Sequence, residues 1–132
     1  MIESAERFRA LCSSQDQMDV DRSLSDPASL DVWVEIINTD AARHLDVAQN
    51  RTIPDEIKRL LVEKGNPTVR SMIAEKRKLP PDLFFVLSRD SDSLVRRKIA
   101  ANAKTPPEIL RHLLKDVDEN VARVARYSVE NR

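Results

Sequence analysis

Val95-Arg96-Arg97-Lys98-Ile99-Ala100-Ala101-Asn102-Ala103-Lys104-Thr105-Pro106-Pro107-Glu108-Ile109-Leu110 decides the fold, because its pattern recurs 26 residues upstream. Val69, Arg70, Ile73 and Ala74 stand under Val95, Arg96, Ile99 and Ala100. Ile53-Pro54-Asp55-Glu56-Ile57, Leu79-Pro80-Pro81-Asp82-Leu83 and Thr105-Pro106-Pro107-Glu108-Ile109 share one register. Leu61, Leu87 and Leu113 form another column, as do Asn66, Asp92 and Asp118, and the valine column ends at Val121. Val47-Ala48 extends the pattern backwards, and Pro27 to Leu30 joins it with a shift of one residue. Agreement of many columns at one spacing is the signature of a repeat architecture.

Each unit reads as two short helices. Proline opens the first, where a missing N–H costs nothing. Asp55, Glu56, Asp82 and Glu108 follow in that first turn and complement the helix dipole. Ile57, Leu60 and Leu61 repeat at helical spacing, and so do Leu83, Val86 and Leu87. Asn66, Asp92 and Asp118 precede the second helix as caps. Ala74 and Ala100 keep a small residue where helices approach. A single pair cannot bury its apolar faces, so the pairs must stack.

The expected layout is one domain. A capping helix and loop occupy residues 1–25, with Phe8 and Leu11 as the cap's apolar face and the loop within Ser13 to Ser25. Four repeats follow at about 26–50, 51–76, 77–102 and 103–132. Arg126 replaces the small residue of its column, which predicts the end of the array there.

The pattern carried by Val95, Arg96, Ile99, Ala100, Asn102, Thr105, Pro106, Glu108, Leu110, Leu113, Asp116 and Asp118 resembles HEAT-like repeats, especially the variant leucine-rich repeats of bacteria. The resemblance covers roughly residues 27–130. It implies an all-α fold, a short right-handed α-solenoid of HEAT-like helix pairs. Some variant leucine-rich proteins place an iron–sulfur cluster before the repeats on several cysteines. This chain has only Cys12, so that feature does not carry over.

Composition narrows the rest. One glycine in 132 residues leaves no material for a dinucleotide fingerprint, a phosphate loop or a barrel of tight hairpins. That glycine, Gly65, falls in an inter-helix turn and is expected to end a helix in the left-handed conformation. Phe8, Trp33, Phe84, Phe85 and Tyr127 are the only aromatics, which speaks against a β-sandwich. There is no apolar run of membrane-spanning length and no signal-peptide pattern, and the lone cysteine fits a cytoplasmic setting. Net charge is zero, yet residues 1–50 hold 4 Lys/Arg against 10 Asp/Glu, and residues 51–132 hold 18 against 12.

Chemistry-bearing motifs are scarce. His44 and His112 belong to no metal-ligand spacing, and Cys12 sits beside an apolar helix position. Asp90 with Asp92, and Asp116 with Asp118, recur at the repeat period, as turn and cap residues do. No catalytic residue, cofactor or metal is assigned. Arg70 and Arg96 share a column and read either as a ladder to Asp90 or Asp92 and to Asp116 or Asp118, or as part of a basic stripe. Lys76, Arg77, Lys78, Arg97, Lys98 and Arg123 extend that stripe, as solvated face or as binding surface. Trp33 has core spacing, and Phe84 is expected to point outward beside an inner face of Leu83, Val86 and Leu87.

These residues imply a non-catalytic protein–protein interaction module. By family analogy it is a toxin-neutralising immunity protein of bacteria or an adaptor, with an acidic toxin domain as one partner. The alternative is a nucleic-acid-binding HEAT-like protein using the Lys/Arg stripe. HEAT-like DNA glycosylases and phycobilin lyases show that the architecture also hosts enzymes, but nothing here marks a base or bilin pocket. No membrane partner is expected.

Overall fold

The prolines and Asx residues punctuate the helices of the structure, a computed structural model that describes all 132 residues. It is all-helical, with ten α-helices: α1 (Ala5–Ser13), α2 (Gln17–Ser25), α3 (Leu30–Thr39), α4 (His44–Gln49), α5 (Asp55–Lys64), α6 (Pro67–Ala74), α7 (Pro81–Ser88), α8 (Ser93–Ala101), α9 (Pro107–Leu113) and α10 (Glu119–Glu130). Pro54, Pro80 and Pro106 cap α5, α7 and α9. Asn66, Asp92 and Asp118 accept side-chain hydrogen bonds from the first-turn amides of α6, α8 and α10, satisfying donors that a helix start leaves orphaned.

The chain forms two compact units, Met1–Gly65 and Asn66–Arg132. In the first, α1, α3 and α5 pack in a row and α2 packs on α4. Phe8 and Trp33 meet edge to face with centroids 5.3 Å apart, and both are fully buried with Ile36, Val47 and Ile57. In the second unit α6, α8 and α10 pack in a row and α7 packs on α9. Val69, Val95 and Val121 are buried in equivalent places, as are Ile73 and Ile99, and Leu87 and Leu113. The shared columns are therefore the core columns, and their small members, Ala74 and Ala100, are fully buried too.

A second periodic device joins successive second helices. The Asn102 side-chain amide donates to the Ala74 and Lys76 carbonyls at 2.9 and 2.8 Å, and its oxygen accepts from the Lys104 amide. Asn50, 52 residues earlier, does the same to Ser23 and Asp26, with Thr52 as donor to its oxygen. Ser128 stands in the same column and donates to the Ala100 carbonyl at 2.6 Å. Each of these groups serves carbonyls at or just past the end of the preceding second helix, which have no intrahelical partner.

Three expectations need correction. The segment Ser13–Ser25 contains the expected loop, at 14–16, but most of it is helix α2, which the expected layout did not include. Asp16 caps it, Val20 and Leu24 give a half-buried i, i+4 pair, and Ser23 turns its hydroxyl onto the Val20 carbonyl. Its polar composition hid a helix whose one buried residue is a serine and whose end is held by Asn50. On α7 the inner face is Leu83, Phe84 and Leu87, while Phe85 and Val86 are exposed. The wheel is turned because Phe84, four residues past the capping Pro80, takes the same repeat position as the buried Leu110. Gly65 has φ −80° and ψ 157° and ends α5 in extended backbone, so its turn needs no left-handed residue.

Ile99 is fully buried in α8. Ile99→Asp should lower unfolding stability by several kcal/mol, roughly 3 or more, because the carboxylate would be buried without a partner. Thermal unfolding checks this; a midpoint within about a degree of wild type would remove Ile99 from the core.

Candidate functional site

The repeated arginines are bound from within the second unit. Arg70 grips Asp90 through two parallel bonds, Nε at 2.7 Å and an Nη at 3.1 Å. Arg96 grips Asp116 in the same way, at 2.9 and 3.2 Å, and adds a bond to the Asp90 carbonyl. The side chains are largely buried, at 18% and 8% exposure in the first pair and 14% and 7% in the second. Asp90 and Asp116 also accept from the amides of Asp92 and Asp118. The ladder therefore uses Asp90 and Asp116, while Asp92 and Asp118 cap helices.

The charges respond accordingly. Hydrogen bonds donated to Asp90 and Asp116 raise the Arg70 and Arg96 guanidinium pKa against the opposing pull of burial. Burial pushes the Asp116 carboxyl up, but bonds from Arg96 and the Asp118 amide, with the Arg96 charge, outweigh it and hold it below the ordinary 3.8. Forked Arg–carboxylate geometry is the strong form of this interaction.

The remaining basic residues divide sharply. Lys98 pairs with Glu75 at 2.6 Å, which brings α8 to the end of α6 beside Lys76 and Arg77. Lys76 is half-buried and Lys78 exposed. Arg123 bonds the Asn120 side-chain amide oxygen. Arg77 and Arg97 are exposed and enter no ion pair. Phe84 is in the core and leaves the candidate surface; Phe85 replaces it, exposed with the Arg89 guanidinium 4.7 Å from its ring centroid.

α8 and α10 share a face that the repeat register builds. Arg97 and Ala101 lie one turn apart on the exposed side of α8, and Arg123 and Tyr127 occupy the corresponding places on α10. Ala101, Ala103, Val124 and Tyr127 line a cleft of about 300 Å³ with Arg132 at its edge. Tyr127 is 68% exposed. Sequence reading passed over Ala101 and Tyr127 because neither carries charge. Their position 26 residues apart, each four after an arginine, was the available signal.

His44 is buried and donates from Nε2 to the Ile37 carbonyl at 2.7 Å. His112 is exposed on α9. Cys12 is half-buried, and burial followed by the nearby Asp46 charge pushes its thiol up to about 11. No group of three or more His, Cys, Asp or Glu residues is arranged to hold a metal ion, and no helix is long and apolar enough to cross a membrane. Comparison with protein-family models, curated proteins and solved structures found no match to this chain.

The Asp116 pKa gives the ladder a pH signature. A carboxyl whose folded pKa is depressed adds stability above its unfolded pKa and loses it as pH falls through the folded value. Asp116→Asn should therefore be less stable than wild type at about pH 6, by roughly 2–4 kcal/mol. The gap should close below the ordinary 3.8, as wild-type Asp116 protonates. Denaturant titration at both ends reads it; a gap unchanged at about pH 2 would exclude the ladder as its source.

Proposed function

We propose that this chain is a non-catalytic protein-interaction module of HEAT-like type whose partner presents an acidic surface. One observation carries the reading. In the repeat, Arg96 is saturated by a carboxylate while the next residue, Arg97, is exposed without an ion pair, and Arg77 is equally open. A fold that supplies aspartates at 26-residue intervals leaves these two cations to solvent or to a partner. The second unit as a whole holds 14 Lys/Arg against 9 Asp/Glu, which steers an acidic partner toward it. Exposed Phe85, Val86 and Tyr127 add the apolar contacts that anchor protein interfaces.

The resemblance to variant leucine-rich repeats supports an adaptor or an immunity protein that neutralises an acidic toxin domain, working in the cytoplasm. The stack is right-handed in that reading.

Affinity capture from the native host with wild type and with Arg77→Glu/Arg97→Glu, followed by quantitative mass spectrometry, tests it. Wild type should enrich one or a few proteins with acidic surfaces, and the double variant, folded to the same thermal midpoint, should lose them at least about tenfold. Equal capture by both would remove these arginines from the interface. Duplex or single-stranded DNA retained at low salt with a steep salt slope would instead favour phosphate as the partner.

A further inference from the structure

The α8–α10 face carries a more specific recognition device than net charge. Its two halves differ. Toward the helix N-termini it presents Arg97 and Arg123, in register because α8 and α10 repeat at 26 residues. One helical turn on, the same face becomes more apolar: Ala101 from α8, Ala103 just after it, and Val124 and Tyr127 from α10 line the cleft of about 300 Å³ together with Ser128, Asn131 and Arg132. Small alanine side chains beside an exposed tyrosine ring leave room there for an inserted side chain.

The rim is fixed in place. Ser128 ties α10 to the end of α8 through the Ala100 carbonyl. Arg132 donates to the Thr105 and Asn102 carbonyls at 2.6 and 3.0 Å, so its guanidinium is spent on closing the edge. Arg132, the one cation lining the cleft, is thus engaged, and Arg97 and Arg123 lie one helical turn before the cleft. A groove that is cationic at one end and apolar at the other is complementary to a segment in which an apolar side chain lies one or two residues from carboxylates. A nucleic-acid strand would need cations following the backbone past the cleft, whereas the cleft's own lining offers only Arg132, already bonded to two carbonyls.

We propose that the α8–α10 groove binds a short acidic peptide segment of the partner protein, inserting one aliphatic or aromatic side chain between Ala101 and Tyr127 while Arg97 and Arg123 bind its flanking carboxylates. This rests on the protein-interaction reading and names the partner chemistry for that surface. The apolar side chain is the anchor, since desolvation in a fitted pocket supplies most of the affinity. The arginines set orientation and rate of encounter.

Fluorescence anisotropy of the full-length protein with two labelled acidic peptides tests it, one with a central leucine and one with alanine in its place. Single-stranded DNA of equal charge is the competitor. Wild type should bind the leucine peptide about tenfold more tightly than the alanine peptide, the worth of one buried aliphatic side chain. Ala101→Trp, which fills the cleft from an exposed position, should erase that difference, and Arg97→Glu should weaken both peptides. Equal binding of the two peptides, with both weakened by Arg97→Glu, would overturn the anchor cleft and leave the acidic-partner reading standing. No peptide binding, or no response to Arg97→Glu, would overturn both. DNA that outcompetes the leucine peptide and ignores Ala101→Trp would overturn the peptide groove in favour of phosphate. Unchanged thermal midpoints establish that the variants are folded.

Discussion

The forked ion pair from a second-helix arginine to the aspartate twenty residues on is the interaction on which the second unit depends. It joins α6 to the turn after α7, and α8 to the turn after α9, with both partners largely withdrawn from water. Two buried charges are tolerated because each carboxylate oxygen has a donor, from the arginine fork and from the amide two residues further along. Removing one partner leaves the other buried and uncompensated. The spacing of these pairs then fixes the helix offsets, and with them the register that puts Arg97 level with Arg123 and Ala101 level with Tyr127.

Much of this architecture was legible because periodic positions do one job each. The valine, isoleucine and leucine columns are core, and the Asx column caps helices. Sequence alone left Asp116 and Asp118 as equivalent partners for Arg96. The backbone separates them: Asp118 must stand immediately before α10 to cap it, so only Asp116, two residues back, can face the arginine. Helix α2 was not legible, since its buried residue is a serine and its docking depends on Asn50, a contact spanning 27 residues. The inward turn of Phe84 was missed because adjacent phenylalanines give the same periodicity either way; the buried Leu110 in its column decided it.

The proposed binding surface was half legible. Charge runs flagged Lys76 to Lys78 and Arg96 to Lys98 without separating structural from open cations. The repeat makes that separation residue by residue: Arg70 and Arg96 belong to the ladder, Lys98 to Glu75, and Arg77 and Arg97 to solvent. Uncharged Ala101 and Tyr127 give no compositional signal, and only the stacking of α8 on α10 turns them into a cleft.

The thermal midpoints of Arg96→Ala and Arg97→Ala, measured side by side, test this division of labour most directly. The two arginines are sequence neighbours with opposite surroundings, one 14% exposed in a forked pair and the other open to solvent. The account predicts a loss of roughly 2–4 kcal/mol for Arg96→Ala and within about 0.5 kcal/mol for Arg97→Ala. Equal losses, or a larger loss for Arg97→Ala, would contradict it.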